Sequence, residues 1–473
     1  MTIDLSTITF TKGADIVPVS GKEDIVNTGI ANTLGGNDTI TGSGSYNFSK
    51  SSPGSGYGIY NTGTLNTAQG NDIITGTGLQ GGIYNTGTFN TAESNDIITA
   101  TGSGVGKGIY NTGTFNTAEG NDTISAAAGF GGTDGIYNTG TFNTAEGNDI
   151  ITVWGKERGI YNSGKFNTAD GNDEITAIAS SFDGISIADN SILDTGNGND
   201  RIRGESGKTT GIYNGSITFT TGDGNDTIDA VGGGYGIHNK GIINTGYGKD
   251  TIIAKGGTLS DGASGRGLYN ISTIDTGDSG DIITASCGID NYGTIDTGNG
   301  DDTITGISSL SPYGEISGID NKGTINTGNG NDSIIAEGSL IIGTGGTINT
   351  GDGNDTITSS KGLENDGTIN TGNGADFILA NGGFKGLGSV FLENGKDYLK
   401  GFGTGKFNGG ENQDTLELTS GTYTVTVGKS GTTVSFTNSK SGVIMETSDF
   451  ETLKAGNTNY NFTKLTQGQK IVV

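Results

Sequence analysis

Residues 318–335 read GIDNKGTINTGNGNDSII, and this stretch is the unit from which most of the chain is built. A variant begins at Gly108 as GIYNTGTFNTAEGNDTIS, another begins at Gly236 as GIHNKGIINTGYGKDTII, and more fill the chain between Asp38 and Asp376. Self-similarity at a period of about 20 to 50 residues is typical of solenoids, propellers and repeat arrays. The repeat therefore decides the fold class.

Each repeat keeps its register over most of its length. In most coils the Gly that opens GIYN or GIDN lies the same distance before the Asp of the NDxI segment, as in Gly82 to Asp96 and Gly288 to Asp302, and length varies almost only after NDxI. Three positions are apolar, represented by Ile319, Ile325 and Ile334. Short strands that each point one or two side chains into a narrow core explain this pattern, with Gly and Asn at the corners.

The sequence therefore predicts an all-β fold, a right-handed parallel β-solenoid of about 14 coils with a C-terminal β-strand cap. We expect residues 1–30 to form an N-terminal cap, because TIDLSTITF alternates like a strand and terminal coils must cover an open sheet edge. Residues 31–380 hold the solenoid repeats. Residues 381–473 hold terminal repeat-like coils and the C-terminal β cap, where Tyr423, Val425 and Val427 alternate as in antiparallel strands.

Composition excludes several classes of protein. The formal net charge is −26, so nucleic acid and anionic lipid are unsuitable partners and divalent cations are favoured. Cys287 is the only cysteine, which rules out an intrachain disulfide and a zinc-binding cysteine cluster. No segment approaches the roughly 18 consecutive apolar residues of a membrane span.

An enzyme is not expected. A catalytic site on a solenoid should interrupt the repeat with unlike acids, bases and cations in one place, and no such break is visible. His238 is the only histidine and occupies a position where other repeats carry Tyr or Asp. Arg201, Arg203 and Lys208 form a modest basic patch that a solvated face explains.

The corner before each NDxI strand carries the most specific motif. In the second half it reads TGNGNDRI up to Ile202, TGDGNDTI up to Ile228 and TGNGNDSI up to Ile334. This resembles the nonapeptide GGxGxDxUx of the hemolysin-type (RTX) calcium-binding proteins, with Thr in place of the first Gly. Near the C-terminus, GGENQDTLE keeps that Gly but has Asn412 in place of the third.

The resemblance implies that Ca2+ bridges loops of adjacent coils. Only one row of sites is expected, because each coil carries one nonapeptide instead of the family's two. The implied side-chain ligands are Asp200, Asp226, Asp250, Asp302, Asp332, Asp355 and Asp376. The implied carbonyl donors are Gly198, Gly224, Gly300, Gly328, Gly330 and Gly353.

Physical chemistry supports a cation at this corner independently of the family. Carboxylates stacked about 4.8 Å apart repel by about 1 kcal/mol per neighbouring pair even at water-like dielectric. Calcium prefers six to eight oxygen ligands, which curled glycine loops and carboxylates supply. The alternative is that Asn-Asp forms an Asx turn that starts the strand.

The first half of the chain departs from the motif, because its corner reads TAEGND with Ala92, Ala118, Ala145 and Ala169 in place of Gly. Alanine is unfavourable at positive φ, so either this residue is not left-handed or the loop is rebuilt. Two further columns repeat along the chain. The Asn column that includes Asn321 predicts an amide ladder, and the Tyr column that includes Tyr110 predicts either surface stacking or a sugar-binding strip.

Together these patterns predict a secreted or cell-surface structural protein, part of a surface layer, matrix, adhesion or filament, whose solenoid folds on binding calcium. Residues 1–19 lack the basic head and apolar run of an N-terminal secretory signal. The resemblance implies type I export through a C-terminal signal from a Gram-negative cell, with cyanobacteria among the candidate sources. Expected partners besides calcium are the chain itself or a cell-surface polysaccharide. The alternative is a carbohydrate-binding or polysaccharide-modifying solenoid.

Overall fold

The computed structural model describes residues 2–17, 23–44, 54–257, 265–311, 314–429 and 433–473. The chain is nearly all β, and about 15 parallel coils build a β-solenoid, which confirms the predicted fold class. The described residues form two short 3-10 helices, Leu5–Thr7 and Phe462–Lys464. Within the described ranges, no helix is long and apolar enough to cross a membrane. The chain divides into two compact units, Met1–Tyr247 with Ile253–Asp261, and Gly248–Ile252 with Gly262–Val473.

Each complete coil has three strands, and the first carries the GIYN or GIDN segment. The first strands are Thr2–Asp4, Asp24–Asn27, Tyr57–Asn61, Gly81–Asn85, Lys107–Asn111, Asp134–Asn138, Arg158–Asn162, Ile185–Ile187, Ile212–Asn214, Ile237–Asn239, Leu268–Asn270, Ile289–Asn291, Ile319–Asn321, Ser339–Ile342, Gly362–Asn365 and Phe384–Lys385.

The second strand carries the middle apolar position. The second strands are Ile30–Asn32, Thr64–Asn66, Thr88–Asn90, Thr114–Asn116, Thr141–Asn143, Lys165–Asn167, Ile192–Asp194, Thr218–Thr220, Ile242–Asn244, Thr273–Asp275, Thr294–Asp296, Thr324–Asn326, Thr347–Asn349, Thr368–Asn370, Ser389–Phe391 and Lys406–Asn408.

The third strand follows the repeated Asp. The third strands are Ile16–Val17, Thr39–Gly44, Ile73–Gly78, Ile97–Gly102, Thr123–Ala127, Ile150–Gly155, Glu174–Ala179, Arg201–Ser206, Thr227–Gly232, Thr251–Lys255, Ile282–Ser286, Thr303–Ile307, Ser333–Glu337, Thr356–Ser359, Phe377–Ala380, Tyr398–Lys400, Thr415–Leu418 and Thr452–Ala455.

The remaining strands are short corner pairs or belong to the C-terminal region. They are Ser309–Ser311, Gly314–Ile316, Asn373–Gly374, Asn394–Gly395, Glu411–Asn412, Thr422–Val427, Thr433–Asn438, Ile444–Ser448, Thr458–Asn461 and Lys470–Val472. The segment Ser309–Ser311 pairs antiparallel with Gly314–Ile316, at the corner where the sequence predicts insertions.

Within each unit, equivalent residues of successive coils lie opposite one another in parallel register. In the Met1–Tyr247 part, Phe115 pairs with Phe89 on one side and Phe142 on the other. Their rings stack with centroids 4.6 Å and 4.7 Å apart. The three predicted apolar positions are buried, as Ile319, Ile325 and Ile334 illustrate. The core is therefore a set of narrow columns of like side chains.

The C-terminal strands continue the solenoid sheets. Ile444–Ser448 pairs in parallel with Lys406–Asn408 and antiparallel with Thr433–Asn438. Thr422–Val427 then pairs antiparallel with Thr433–Asn438 and with Lys470–Val472. The expectation of antiparallel strands near Tyr423 is thus confirmed, and these strands extend the sheet that the second strands begin.

Candidate metal site at the aspartate corner

The repeated Asp side chains face the interior. Asp332 and Asp355 are each 1 % exposed, and the other members of the row are equally buried. Because the Asp is directly followed by the third strand, its position is set by the register of that strand. The coil therefore holds one carboxylate at the same buried corner in every turn.

One oxygen of each carboxylate joins two coils. The main-chain N–H of Asp302 donates to Oδ1 of Asp332 at 2.8 Å, and the N–H of Asp332 donates in turn to Oδ1 of Asp355 at 2.8 Å. We call this series of N–H to Oδ1 hydrogen bonds between successive coils the carboxylate relay. In one unit the carboxylate relay runs from Asp15 to Asp226. In the other it runs from Asp250 to Asp414, where Glu451 accepts the last bond. The Asp row is thus part of the coil-to-coil hydrogen bonding.

The other oxygen is buried without a hydrogen-bond partner. This holds for Oδ2 of Asp38, Asp72, Asp96, Asp122, Asp149, Asp173, Asp200, Asp281, Asp302, Asp332, Asp355, Asp376, Asp397 and Asp414. A buried acceptor left without a donor costs about 1 to 3 kcal/mol, and more when it is charged. Such a row calls for a cation or a proton at each free oxygen.

The pKa values of these carboxyls are raised, because burial makes the charged form unfavourable. Burial raises the pKa of Asp302 and of Asp355 to about 7. It raises the pKa of Asp200 and of Asp376 to about 6, and raises that of Asp332. In each case the main-chain N–H at Oδ1 and a Thr hydroxyl, which lies near the carboxyl but outside hydrogen-bond geometry at Oδ2, lower the pKa only in part. Burial therefore outweighs the hydrogen bonds, and among the residues that the structure describes none of these five carboxylates forms an ion pair.

The predicted glycine donors lie in the loops that directly precede the repeated Asp residues. Within the described residues, no main-chain N–H donates to the carbonyl of Gly198, Gly224, Gly300, Gly328, Gly330 or Gly353. Coils stack closely here: a Cβ on Gly330 would lie 1.6 Å from the carbonyl oxygen of Gly300, and Gly330 has φ 147°. Glycine is required at Gly330 because the carbonyl of the preceding coil occupies the space of a side chain.

The alanine-bearing loops decide between the two alternatives for this corner. Ala92, Ala118, Ala145 and Ala169 all have φ 62°, so the alternative in which this residue is not left-handed is excluded. The glycines at the equivalent corner of later coils, from Gly196 to Gly372, have φ between 74° and 86°. A left-handed Ala costs about 1 kcal/mol relative to Gly.

The two kinds of loop differ at this first corner residue. In later coils the carbonyl of Gly298 lies 1.8 Å from the Cβ position of Gly328. In the alanine loops a methyl group fills the corresponding position, so a carbonyl cannot approach as closely. The alanine loops nevertheless keep both the carboxylate relay and the close carbonyl stacking of the second glycine, because a Cβ on Gly147 would lie 1.8 Å from the carbonyl oxygen of Gly120.

The donor set at the glycine corner fits calcium, because it consists of oxygen atoms alone. Among the described residues, no group of three or more His, Cys, Asp or Glu side chains converges as a metal cluster. An ion at this corner would therefore take most of its six to eight ligands from the main chain and water. In the alanine half, a hollow of about 430 Å³ lies over the corner, lined in part by Asp72, Asp96 and Asn95.

The set of predicted Asp ligands is smaller than the set of Asp residues in the carboxylate relay. Asp200, Asp226, Asp250, Asp302, Asp332, Asp355 and Asp376 all take part in the relay, with Asp200 and Asp226 in one unit and the others in the second. Asp281, Asp397 and Asp414 accept the same bond, although they are not among the predicted ligands. The recurrence of Asp before an apolar residue signals them, although their loops depart from TGxG.

The other two columns are structural ladders. Asn111 Nδ2 donates to Oδ1 of Asn138 at 2.8 Å, and the same bond links Asn291 to Asn321, so the predicted amide ladder is present. The rings of Tyr84 and Tyr110 stack with centroids 5.0 Å apart and planes 4° apart. Ring faces in this column pack on one another, which favours the surface-stacking interpretation over a sugar-binding strip.

The sequence matches no protein-family model and no curated protein. The resemblance to the RTX proteins therefore rests on the corner motif itself.

Proposed function

We propose that this protein is a calcium-binding structural solenoid that acts outside the cell or at its surface. The observation that carries the proposal is the row of buried Asp Oδ2 atoms without hydrogen-bond donors. A row of this kind is unstable as bare charge, and free main-chain carbonyls lie in the same loops. Bound calcium would supply the positive charge that the corner lacks.

The chain's own residues divide the work at this corner. Oδ1 of each Asp accepts the N–H of the preceding coil and so fixes the orientation of the carboxylate. Oδ2 remains available as a ligand. Gly328 and Gly330 let the loop turn with positive φ and present carbonyl oxygens that no main-chain N–H occupies in the described residues.

A structural role fits the regularity of the site. Every coil presents the same carboxylate in the same register, and an enzyme would need unlike groups gathered at one place. Calcium binding would stabilise the folded chain by mass action, because the unfolded chain cannot gather the ligands. Extracellular calcium modules bind with dissociation constants of about 10⁻⁴ to 10⁻³ M, which suits a chain exported unfolded and folded outside.

Equilibrium dialysis against radioactive calcium tests the proposal directly. We expect several calcium ions per chain to bind with affinities of roughly millimolar or tighter. A double Asp332→Ala, Asp355→Ala variant should bind fewer ions, while Asp189→Ala, whose carboxylate lies outside the relay, should bind as many as the native chain. The absence of bound calcium, or equal binding by the double variant, would contradict the assigned ligands.

A further inference from the structure

The repeat is broken at the end of one second strand. In preceding coils this strand ends in a half-buried polar residue, as at Asn326, Asn349 and Asn370. In the strand Ser389–Phe391 the equivalent residue is Phe391, which lies opposite Asn370 in register and is 37 % exposed. An aromatic side chain thus replaces an amide on the outer face of the sheet.

Phe391 lines a hollow of about 570 Å³. Four adjacent strands form it: Ser389–Phe391, Lys406–Asn408, Ile444–Ser448 and Thr433–Asn438. All four belong to the Gly262–Val473 unit. The volume lies within the range of about 300 to 1,000 Å³ that is typical of small-molecule sites.

The polar lining includes two opposite charges, both on exposed side chains. Lys406 and Glu446 are cross-strand neighbours and both line the hollow. In the part of the chain that the structure describes, neither side chain forms an ion pair or a side-chain hydrogen bond. Hydroxyls of Ser389 and Ser435 lie on either side, opposite Lys406 and Glu446 respectively. The hollow therefore offers an aromatic ring, a donor, an acceptor and hydroxyls together.

We propose that this hollow binds a neutral hexose unit of a polysaccharide. The apolar C–H face of a pyranose ring packs against an aromatic ring, while its hydroxyls both donate and accept hydrogen bonds. Glu446 accepts from a sugar hydroxyl and the Lys406 ammonium donates to a neighbouring hydroxyl oxygen, and such bonds to charged groups are stronger than neutral ones. An acidic sugar is disfavoured by Glu446 and by the net charge of −26.

An extended peptide fits this place less well. Addition of a peptide strand requires an open sheet edge. The strand Ile444–Ser448 is paired on both sides, and Ser389–Phe391 is paired with Thr368–Asn370 and Lys406–Asn408. The main-chain groups around the hollow thus already form hydrogen bonds with neighbouring strands, so a ligand would be bound by side chains.

A glycan array of neutral and uronic-acid polysaccharides, probed with the full chain in calcium, tests this inference. Titration calorimetry with the best neutral oligosaccharide should then compare the native chain with Phe391→Asn and Glu446→Gln. Phe391→Asn restores the residue type of the preceding coils and so preserves folding. Tyr292→Ala, which removes a 45 % exposed ring elsewhere in the same unit, is the matched control.

We expect each hollow variant to bind roughly tenfold more weakly or worse, and the control to bind like the native chain. The inference is overturned if no neutral glycan binds, if acidic glycans bind in preference, or if both hollow variants bind as tightly as the native chain. Calcium dialysis of the same samples is independent of these outcomes, because the hollow shares no residue with the aspartate corner.

Discussion

The main-chain N–H of Asp332 donates to Oδ1 of Asp355 in the next coil, 2.8 Å away. The same relationship links Asp302 to Asp332 and Asp355 to Asp376. One carboxylate oxygen thus holds adjacent coils together, while the other is buried without a donor. The repeated Asp therefore both fixes the register between adjacent coils and leaves a buried carboxylate oxygen that a positive charge would stabilise.

Replacing Asp332 and Asp355 together by Asn separates these two tasks. The amide oxygen still accepts the N–H of the preceding coil, but the charge and the free acceptor are lost. We expect the calcium midpoint of folding to rise, and the stability in chelator to stay equal or increase. Chemical denaturation at several calcium concentrations measures both. Asp352→Asn in an adjacent, exposed loop position is the control and should leave the midpoint unchanged.

Stability in chelator should fall as the pH rises. The pKa of Asp302 and Asp355 is raised by burial from 3.8 to about 7, so the folded chain holds more protons than the unfolded chain between these values. Stability therefore decreases with pH across this window. Thermal melts at about pH 5 and about pH 8 check this, and saturating calcium should reduce the difference. Stability in chelator that is flat or rising would contradict the assignment.

Substituting Gly330 by Ala should destabilise the Gly262–Val473 unit. The new Cβ would lie 1.6 Å from the Gly300 carbonyl oxygen, and the residue has φ 147°. Gly345→Ala is a matched control, because its φ is 84° and nothing lies within 4 Å of the added Cβ. We expect a loss of about 1 kcal/mol for the control and a clearly larger loss for Gly330→Ala. Equal losses in urea denaturation would show that stacking at this corner is loose.

The phenylalanine column should be sensitive to volume. Phe142→Ala removes a ring stacked between Phe115 and Phe166 and should cost about 3 to 5 kcal/mol of unfolding free energy. Phe142→Leu should cost about 1.5 kcal/mol or less, because Leu65 and Leu193 occupy the same column in other coils. Urea denaturation distinguishes the two variants, and similar losses would argue against a close-packed column.

Most of the fold could be predicted from the periodicity of the sequence. The spacing of Ile319, Ile325 and Ile334 predicts three strands per coil because each residue must reach a narrow core, and all three are buried. The amide ladder follows from a polar residue recurring at one buried corner, as at Asn291 and Asn321. Such features are predictable because each coil repeats the same local solution.

Features that depend on contacts between coils were harder to predict. A left-handed Ala92 contradicts local propensity, and the gain from continuous stacking of the coils offsets its cost. Oδ1 of Asp332 accepts a hydrogen bond and Oδ2 does not, and the sequence of a single repeat cannot predict this difference because the donor belongs to the preceding coil. The hollow at Phe391 is formed in part by the C-terminal strands. Their pairing with Lys406–Asn408 could not be predicted, because these strands lie outside the repeat.

Far-ultraviolet circular dichroism of the native chain across a calcium titration tests most directly whether calcium stabilises the solenoid through its aspartate corner. We expect little β signal or a low melting temperature in chelator, a cooperative gain of β structure as calcium rises, and reversal when chelator is restored. A chain with the same spectrum and the same melting temperature in chelator as in calcium would contradict the claim.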